Sequence, residues 1–419
     1  MRIDVEWVEF GGQRLLFVDA IIRKATLPKK AGIPAHMITF LHTADLQIGK
    51  PYNWAHPGRA RPALKEAREK AVTHLGKVAA ECDASFILIA GDFFDDNTVD
   101  DDVVTRTCHR LENDISVPVY ILPGNHDAAS GPSCVYHRAP FVDLKPDHVF
   151  VLDKGGPYLI GENGEEAAED DVLLLPAPVQ RRIERGDPTS HIDADLGRDR
   201  APEALRIGIA HGGVEAFDGG EAASRIDPER AERAELDYLA LGDWHGYKEV
   251  NPRTWYSGTP EPDSFMQNDP GHVLSVSVEA HGKTPTVDVV QTSQFEWKRI
   301  EMVLQGEADL NALEQSLADI EGPLQTLVRL ELSGELGLDA QSRLDEIKEH
   351  LENTVLAVRH RGEVRPKATD KEIESMAGEG YVGATVDELR RISDGDSEDA
   401  DVADRALQLL YRFHRDSLE

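Results

Sequence analysis

"FILIAGDFFD", residues 86–95, is an apolar run that stops at a glycine and then presents two carboxylates, Asp92 and Asp95. The run predicts a strand over 85–90. The same pattern recurs four times. "FLHTAD" (40–45) delivers Asp45, with Gln47 two residues on. "VYILPGNHD" (119–127) delivers Asn125, His126 and Asp127. "IGIAHGG" (207–213) delivers His211, and "YLALGDWHG" (238–246) delivers Asp243 and His245. In open α/β sheets, ligand sites gather at the carboxyl ends of strands. Five such ends, all furnished with Asp, Asn, Gln or His and four of them with adjoining glycines, point to a single metal site.

Outward from these ends the chain reads as an α/β layered domain. Strands are expected at 37–44, 85–90, 117–122, 148–152, 171–177, 205–210 and 237–241, with two more at 272–279 and 286–291. Helices are expected at 63–81 and 99–114. "GENGEEAAEDD" (161–171) reads as an acidic turn and 184–203 as a polar loop. Residues 1–36 read as a hairpin with a Gly-rich turn followed by a linker, or as sequence upstream of a natural start at Met37; both stay open. Beyond "FEWKRIEMVL", a strand (298–304), helix (308–320), strand (325–333), helix (339–352) and strand (354–360) predict a compact βαβαβ unit. Residues 361–380 are linker-like. "ATVDELRRI" carries a capping-box pattern, Thr385 with Glu388, the acidic "SDGDSEDAD" breaks it, and a last amphipathic helix is expected at 402–417. The expected divisions are 1–36, 37–295, 296–362 and 363–419.

Composition narrows the class. Hydrophobic content of 40% and charged content of 29% belong to a soluble globular protein. The apolar runs at 86–90 and 172–179 are too short to cross a bilayer, and no h-region with a small-residue cleavage site opens the chain. Cys82, Cys108 and Cys134 share no metal-binding spacing, so reduced thiols in a cytoplasmic chain are expected. Against 45 basic residues stand 77 acidic ones, a formal net charge of −32. Such a balance argues against nonspecific nucleic-acid binding, although net charge bears on solubility and association rather than on the site. Arginine outnumbers lysine about two to one, and an acid-rich, lysine-poor surface suits a salty cytoplasm.

The ordered set D-x-[H], G-D-x-x-D, G-N-H-[DE], a lone His and G-H-x-H resembles the calcineurin-like metallophosphoesterases. "LHTADLQIGKP", "GDFFD", "PGNHD" and "SGTPEPDSF" (257–265) resemble the DNA repair exonuclease branch, the SbcD and YhaO type. The resemblance implies a four-layer α/β/β/α sandwich with a small α+β capping domain and a helical C-terminal tail. It also implies two adjacent divalent ions, Mn²⁺ ahead of Mg²⁺ on a donor set of hard oxygens and imidazoles. Asp45, Gln47, Asp92 and His245 would hold the first ion. Asp92, Asn125, His211 and Asp243 would hold the second, with Asp92 bridging. Gln47 and Asp243 depart from the family's histidines. His126 matches the family's non-ligand histidine, which would contact the scissile phosphate, and the Asp95 carboxylate is expected to orient it. His42 lies inside a strand run and reads as a packed, hydrogen-bonded residue.

The stretch 50–70 carries six basic and two acidic residues. Lys50, Tyr52, Trp54, Arg59 and Arg61 therefore form a candidate DNA path of cations beside stacking aromatics; the other reading is an exposed loop and helix face. "RHRGEVRPK" (359–367) is a second basic stretch. In the family the corresponding small domain caps the active site and helps bind DNA, and C-terminal helices grip the coiled-coil root of an SbcC-like ABC-type ATPase; a homodimer is compatible with this. Three functions stay in view: a metal-dependent DNA nuclease working with an ATPase, a phosphoesterase acting on small nucleotides or phosphoesters, and a catalytically silent scaffold.

Overall fold

Alternation along each central strand decides the layering, because successive side chains point to opposite faces of a sheet. In β3 (Ile38–Thr43) and β4 (Ile87–Ala90), Phe40 and Leu88 face one way and Leu41, Ile87 and Ile89 the other. Both faces are buried, so both must be covered. The structure, a computed structural model, describes residues 5–10, 13–18, 37–131, 133–160, 172–183, 185–214, 225–266, 268–368, 373, 381–395 and 399–416. It divides into two units, Met1–Glu296 and Trp297–Glu419.

In the first unit, β1 (Val5–Phe10) and β2 (Gln13–Val18) form an antiparallel hairpin. The expected Gly-rich turn and the linker up to residue 36 lie outside the described residues. Two six-stranded sheets follow. Sheet one has the order β14 (Thr286–Gln291), β13 (His272–Val278), β3, β4, β5 (Val119–Leu122), β6 (Val149–Val151). From β3 to β6 it is parallel, and β13 and β14 close it antiparallel. Sheet two has the order β11 (Lys248–Asn251), β12 (Thr254–Tyr256), β10 (Tyr238–Gly242), β9 (Leu205–His211), β8 (Val172–Ala177), β7 (Tyr158–Ile160). The short strands β7, β11 and β12 were not foreseen; none exceeds four residues.

The sheets pack face to face through Phe40, Leu88 and Leu122 on one side and Leu174, Ile207 and Ala240 on the other. Outside sheet one lie α1 (Ala60–Glu81), α2 (Asp101–Asp114) and the short α3 (Ala139–Leu144). Val72, Leu75, Val104 and Leu111 meet Leu41, Ile89 and Ile121 there. Outside sheet two the layer is thin. Ile192, Ile226 and Ala231, from ordered loops and the four-residue α4 (Arg230–Arg233), cover Leu173, Leu239 and Leu241. The expected polar loop at 184–203 thus lends apolar side chains to a core. The acidic turn at 161–171 lies outside the described residues.

In the second unit, β15 (Glu296–Leu304), β16 (Thr326–Leu336), β17 (Ala357–Arg361) and β18 (Val364–Pro366) form one sheet. Leu310 and Leu313 of α5 (Glu307–Ala318) and Leu344 and Leu351 of α6 (Leu338–Thr354) share a core with Val328, Leu330 and Leu332 of β16. The tail forms helices Tyr381–Ser393 and Ala400–Asp416, with Val386 and Leu407 buried in one cluster. The structure corrects the capping-box expectation. Thr385 lies a turn inside helix Tyr381–Ser393, where its hydroxyl donates to the Tyr381 carbonyl at 2.9 Å, while Glu388 pairs with Arg391. Among the described residues, no helix is long and apolar enough to cross a membrane.

Candidate metal centre

The parallel strands of both sheets end at one place. Beyond β3 come Asp45 and Gln47, beyond β4 Asp92 and Asp95, and beyond β5 Asn125 and His126. His211 closes β9, and Asp243 and His245 follow β10. The chain turns sharply at each exit. Asp45, Gln47, Asp92 and Asp243 have φ of 55°, 44°, 53° and 98°, a region that costs a side-chain-bearing residue about 1–3 kcal/mol. The surroundings hold them there. Asp45 N–H donates to Gly91 O at 3.0 Å, Gln47 N–H to Asp92 O at 2.9 Å, and Asp243 N–H to Asp45 Oδ2 at 3.0 Å. Two glycines permit the close approach: a Cβ on Gly91 would stand 2.1 Å from His211 Nδ1, and one on Gly124 would stand 2.2 Å from Asp92 Oδ1.

Ligand-type atoms of Asp45, Asp92 and His211, all buried, lie within 4.8 Å of one another. His211 Nδ1 donates to Ala90 O at 2.8 Å, which turns Nε2 into the site. That Nε2 lies 3.5 Å from Asp92 Oδ2, 3.7 Å from Asp243 Oδ1 and 2.8 Å from Asn125 Oδ1. With the His211 ring neutral, the Asn125 oxygen faces only acceptors; turned over, its amide would then donate to Asp92 and His211. Oδ1 of Asp45 is buried with no hydrogen-bond partner. Burial pushes the Asp45 carboxyl up to about 6, against the pull of His245 and His211. Burial also opposes charge on His211 and Asp92, yet each holds the other charged: the imidazole is raised well above its usual value and the Asp92 carboxyl is lowered. An acceptor-rich pocket with an orphaned carboxylate oxygen and surplus negative charge fits a divalent cation.

The second group gathers around His245. Its Nδ1 lies 2.9 Å from Asp263 Oδ1 and its Nε2 3.8 Å from Asp45 Oδ1. Gln47 departs from expectation: its carbonyl oxygen accepts from Lys50 Nζ at 2.5 Å, and its Nε2 lies 3.4 Å from His245 Nε2. Lys50 was expected on a DNA path; its ammonium instead joins Gln47 and Asp263, the latter at 2.7 Å. Tyr52 is likewise corrected. It is buried, and its hydroxyl accepts from Arg68 Nε at 2.6 Å, so it offers no stacking face. Trp54 sits 5.9 Å from the Phe265 ring, Arg59 is exposed before α1, and Arg61 donates to the Asn53 and Ala55 carbonyls.

His126 stands beside the cluster, its Nε2 3.9 Å from Asp92 Oδ2. Asp95 meets it through the backbone: His126 Nδ1 donates to Asp95 O at 2.6 Å, in place of the expected carboxylate contact. The Asp95 carboxylate lies 3.9 Å from Lys50 Nζ. Asp127 braces its loop, accepting from Gly124 N–H and Phe94 N–H at 2.7 and 3.0 Å and from the Tyr136 hydroxyl at 2.5 Å. His42 is buried, with Nδ1 2.9 Å from the Tyr238 hydroxyl.

Three supporting residues escaped sequence reasoning. Asp263 orients His245. Thr259 donates to Asp45 O at 2.8 Å. Arg68, wholly buried on α1, donates to the carbonyls of Asp45, Leu46 and Glu261. The motif "SGTPEPDSF" was the available signal, since Thr259, Glu261 and Asp263 all lie in it.

Residues 38–247 match the calcineurin-like phosphoesterase family. The chain belongs to the calcineurin-like phosphoesterases. Among relatives of this phosphoesterase, the uncharacterized metallophosphoesterase YhaO of Bacillus subtilis (strain 168) is 22% identical over 333 residues, covering 75% of this chain and 77% of that one. The DNA double-strand break repair protein Mre11 of Archaeoglobus fulgidus is 36% identical over 146 residues, covering 33% of this chain and 30% of that protein. A crystal structure of TT1561 of Thermus thermophilus aligns over 61% of this phosphoesterase and 100% of its own chain, with 12% identity and a TM-score of 0.35.

Proposed function

We propose that this phosphoesterase is a divalent-metal-dependent DNA nuclease acting with a coiled-coil ABC-type ATPase. The observation that carries the chemistry is the cluster of buried Asp45, Asp92 and His211 with half-buried Asn125, and His126 Nε2 beside it. Bound divalent ions, Mn²⁺ or Mg²⁺ on these donors, would supply Lewis-acid polarisation of the phosphorus centre and activation of water. Asp92, Asn125, His211 and Asp243 would hold one ion; Asp45, Asp92 and His245 would face the other.

The chain's own part in the reaction centres on His126. Because Nδ1 is committed to Asp95 O, Nε2 is the nitrogen that faces the pocket. When the ring is doubly protonated, that nitrogen can donate to a phosphate oxygen and pass its proton to the leaving oxygen, returning to the neutral ring with its hydrogen on Nδ1. The Asp95 carbonyl fixes the ring's orientation and proton position. DNA as substrate is supported by the 146-residue similarity to a double-strand break repair protein. An ATPase partner is supported by Val402, Leu409 and Phe413, exposed on the last tail helix.

The test is cleavage of labelled single- and double-stranded DNA with Mn²⁺, beside bis-p-nitrophenyl phosphate, for wild type and His126→Ala. Cleavage of both DNA and the small diester by wild type, and of neither by the variant, is expected. Turnover of the diester alone would place the substrate among small phosphoesters. Turnover of neither would leave the scaffold reading. Deletion of residues 381–416 should abolish capture of a coiled-coil ATPase.

A further inference from the structure

The two halves of the centre are built differently. Around His211 gather the Asp92, Asn125 and Asp243 side chains, two of them carboxylates, and the Asn125 amide, turned over, donates to Asp92 and His211. Around His245, four side chains close a ring: Lys50 Nζ to Gln47 Oε1 (2.5 Å), Gln47 Nε2 to His245 Nε2 (3.4 Å), His245 Nδ1 to Asp263 Oδ1 (2.9 Å), and Asp263 Oδ2 back to Lys50 Nζ (2.7 Å). The proton assignments are mutually consistent. In its neutral form His245 donates from Nδ1 to Asp263, which leaves the lone pair on Nε2. The Gln47 amide nitrogen can donate only to that lone pair, and its oxygen accepts from the ammonium. Both polar atoms of Gln47, and the ligating nitrogen of His245, are thereby occupied by the chain itself.

We propose that this ring makes the centre asymmetric, with Lys50 and Gln47 as positioning residues that set the order and strength of metal loading. The His211 half takes its divalent ion first and tightly. The His245 half takes one only when Gln47 turns away from His245 and Lys50 is displaced, and it does so more weakly. An amide competes for the imidazole in both halves, Asn125 at His211 and Gln47 at His245; the difference is that beside His245 a fixed ammonium also repels an incoming dication at short range. Lys50 also binds the carboxylate that orients His245, so its removal changes the outer shell of that ligand. Outer-shell changes of this kind typically move metal affinity by about 10–100-fold.

The proposal rests on the metal-centre reading under Proposed function, and its readout is metal occupancy rather than turnover. Metal-free full-length protein is titrated with Mn²⁺ alone, with free ion followed by electron paramagnetic resonance and heat by calorimetry, for wild type, Lys50→Met and Gln47→His. Wild type should bind one Mn²⁺ tightly and a second roughly tenfold or more weakly. Lys50→Met should tighten the weak step by about 10–100-fold and leave the tight step within about threefold. Gln47→His should do the same by a different route, and circular dichroism melting checks that each variant folds. Two equal steps in wild type, or a weak step that neither variant moves, overturns the asymmetry while leaving the metal centre standing. Wild type that binds no Mn²⁺ overturns the metal centre itself, and the asymmetry with it.

Discussion

Gly91 has no side chain because His211 stands where one would be. A Cβ there would lie 2.1 Å from the imidazole, and the residue's φ of 97° already disfavours any other amino acid. Gly91→Ala should therefore displace His211, weakening Mn²⁺ binding by about tenfold or more and costing about 1–3 kcal/mol of stability; calorimetry and urea unfolding report the two losses separately. His42 supports a prediction of another kind. Burial holds this imidazole down to about 3, against an ordinary value of 6.5. The folded state binds it unprotonated, so its contribution is complete above pH 6.5 and is lost as pH falls from 6.5 towards 3. Within that window the slope from one such group is about 1.4 kcal/mol per pH unit. His42→Gln, which can still meet the Tyr238 hydroxyl, should flatten the fall in urea midpoint between pH 6.5 and 5. An unchanged slope would place the acid sensitivity elsewhere. At this scale the sequence was a good guide to which residues converge, because each follows an apolar run and the fold collects strand ends. It was a poor guide to what each atom touches. Asp263 and His245 are 18 residues apart, but Lys50 and Asp263 are 213 apart, and no local spacing announces that pairing.

Among the elements, α1 does more than cover sheet one. Arg68 reaches from its buried face to Tyr52, to the carbonyls of Asp45 and Leu46 in the first metal loop, and to Glu261 in the loop that supplies Asp263. Three segments are thus tied by one guanidinium, whose planar fork suits several acceptors at once. Arg68→Met keeps the length and loses every donor. It should destabilise the protein by about 3–5 kcal/mol, because buried acceptors are left without partners, and the urea midpoint should fall with little change in m. A shift below about 1 kcal/mol would mean that water replaces the guanidinium. The central strands and α1, α2, α5 and α6 were legible as apolar runs and helical spacings, β4 and β5 even at four residues because every position is buried. The short strands β7, β11 and β12 are only partly buried and lack a sustained apolar run to separate them from loop. The Thr385–Glu388 pattern misled because a capping box is a local signal. Thr385 instead lies inside helix Tyr381–Ser393, and Val386 is buried against Ile373 and Leu407.

For the molecule as a whole, a net charge of −32 is a property of composition that no single contact explains. Some acids are answered locally: Glu69 by Arg106, Asp187 by Arg230, and Glu307 and Glu314 by Arg343. With 77 acids against 45 bases, a surplus stays unanswered and repels itself in the folded state more than in the expanded chain. Salt relieves this, since the screening length shrinks from about 10 Å at 0.1 M to about 3 Å at 1 M. Raising KCl from 0.1 to 2 M should therefore raise Tm, by about 5 °C or more if relief amounts to a few kcal/mol. Chloride is the anion to use, because sulfate and phosphate strengthen apolar burial on their own account. A screening effect should also saturate towards 1 M, once the screening length falls below the spacing of neighbouring surface charges, whereas an effect on apolar burial would keep rising. A Tm indifferent to KCl would mean that the surplus acids are spread widely enough to be harmless, and charge repulsion would then give no ground for a salt-adapted surface.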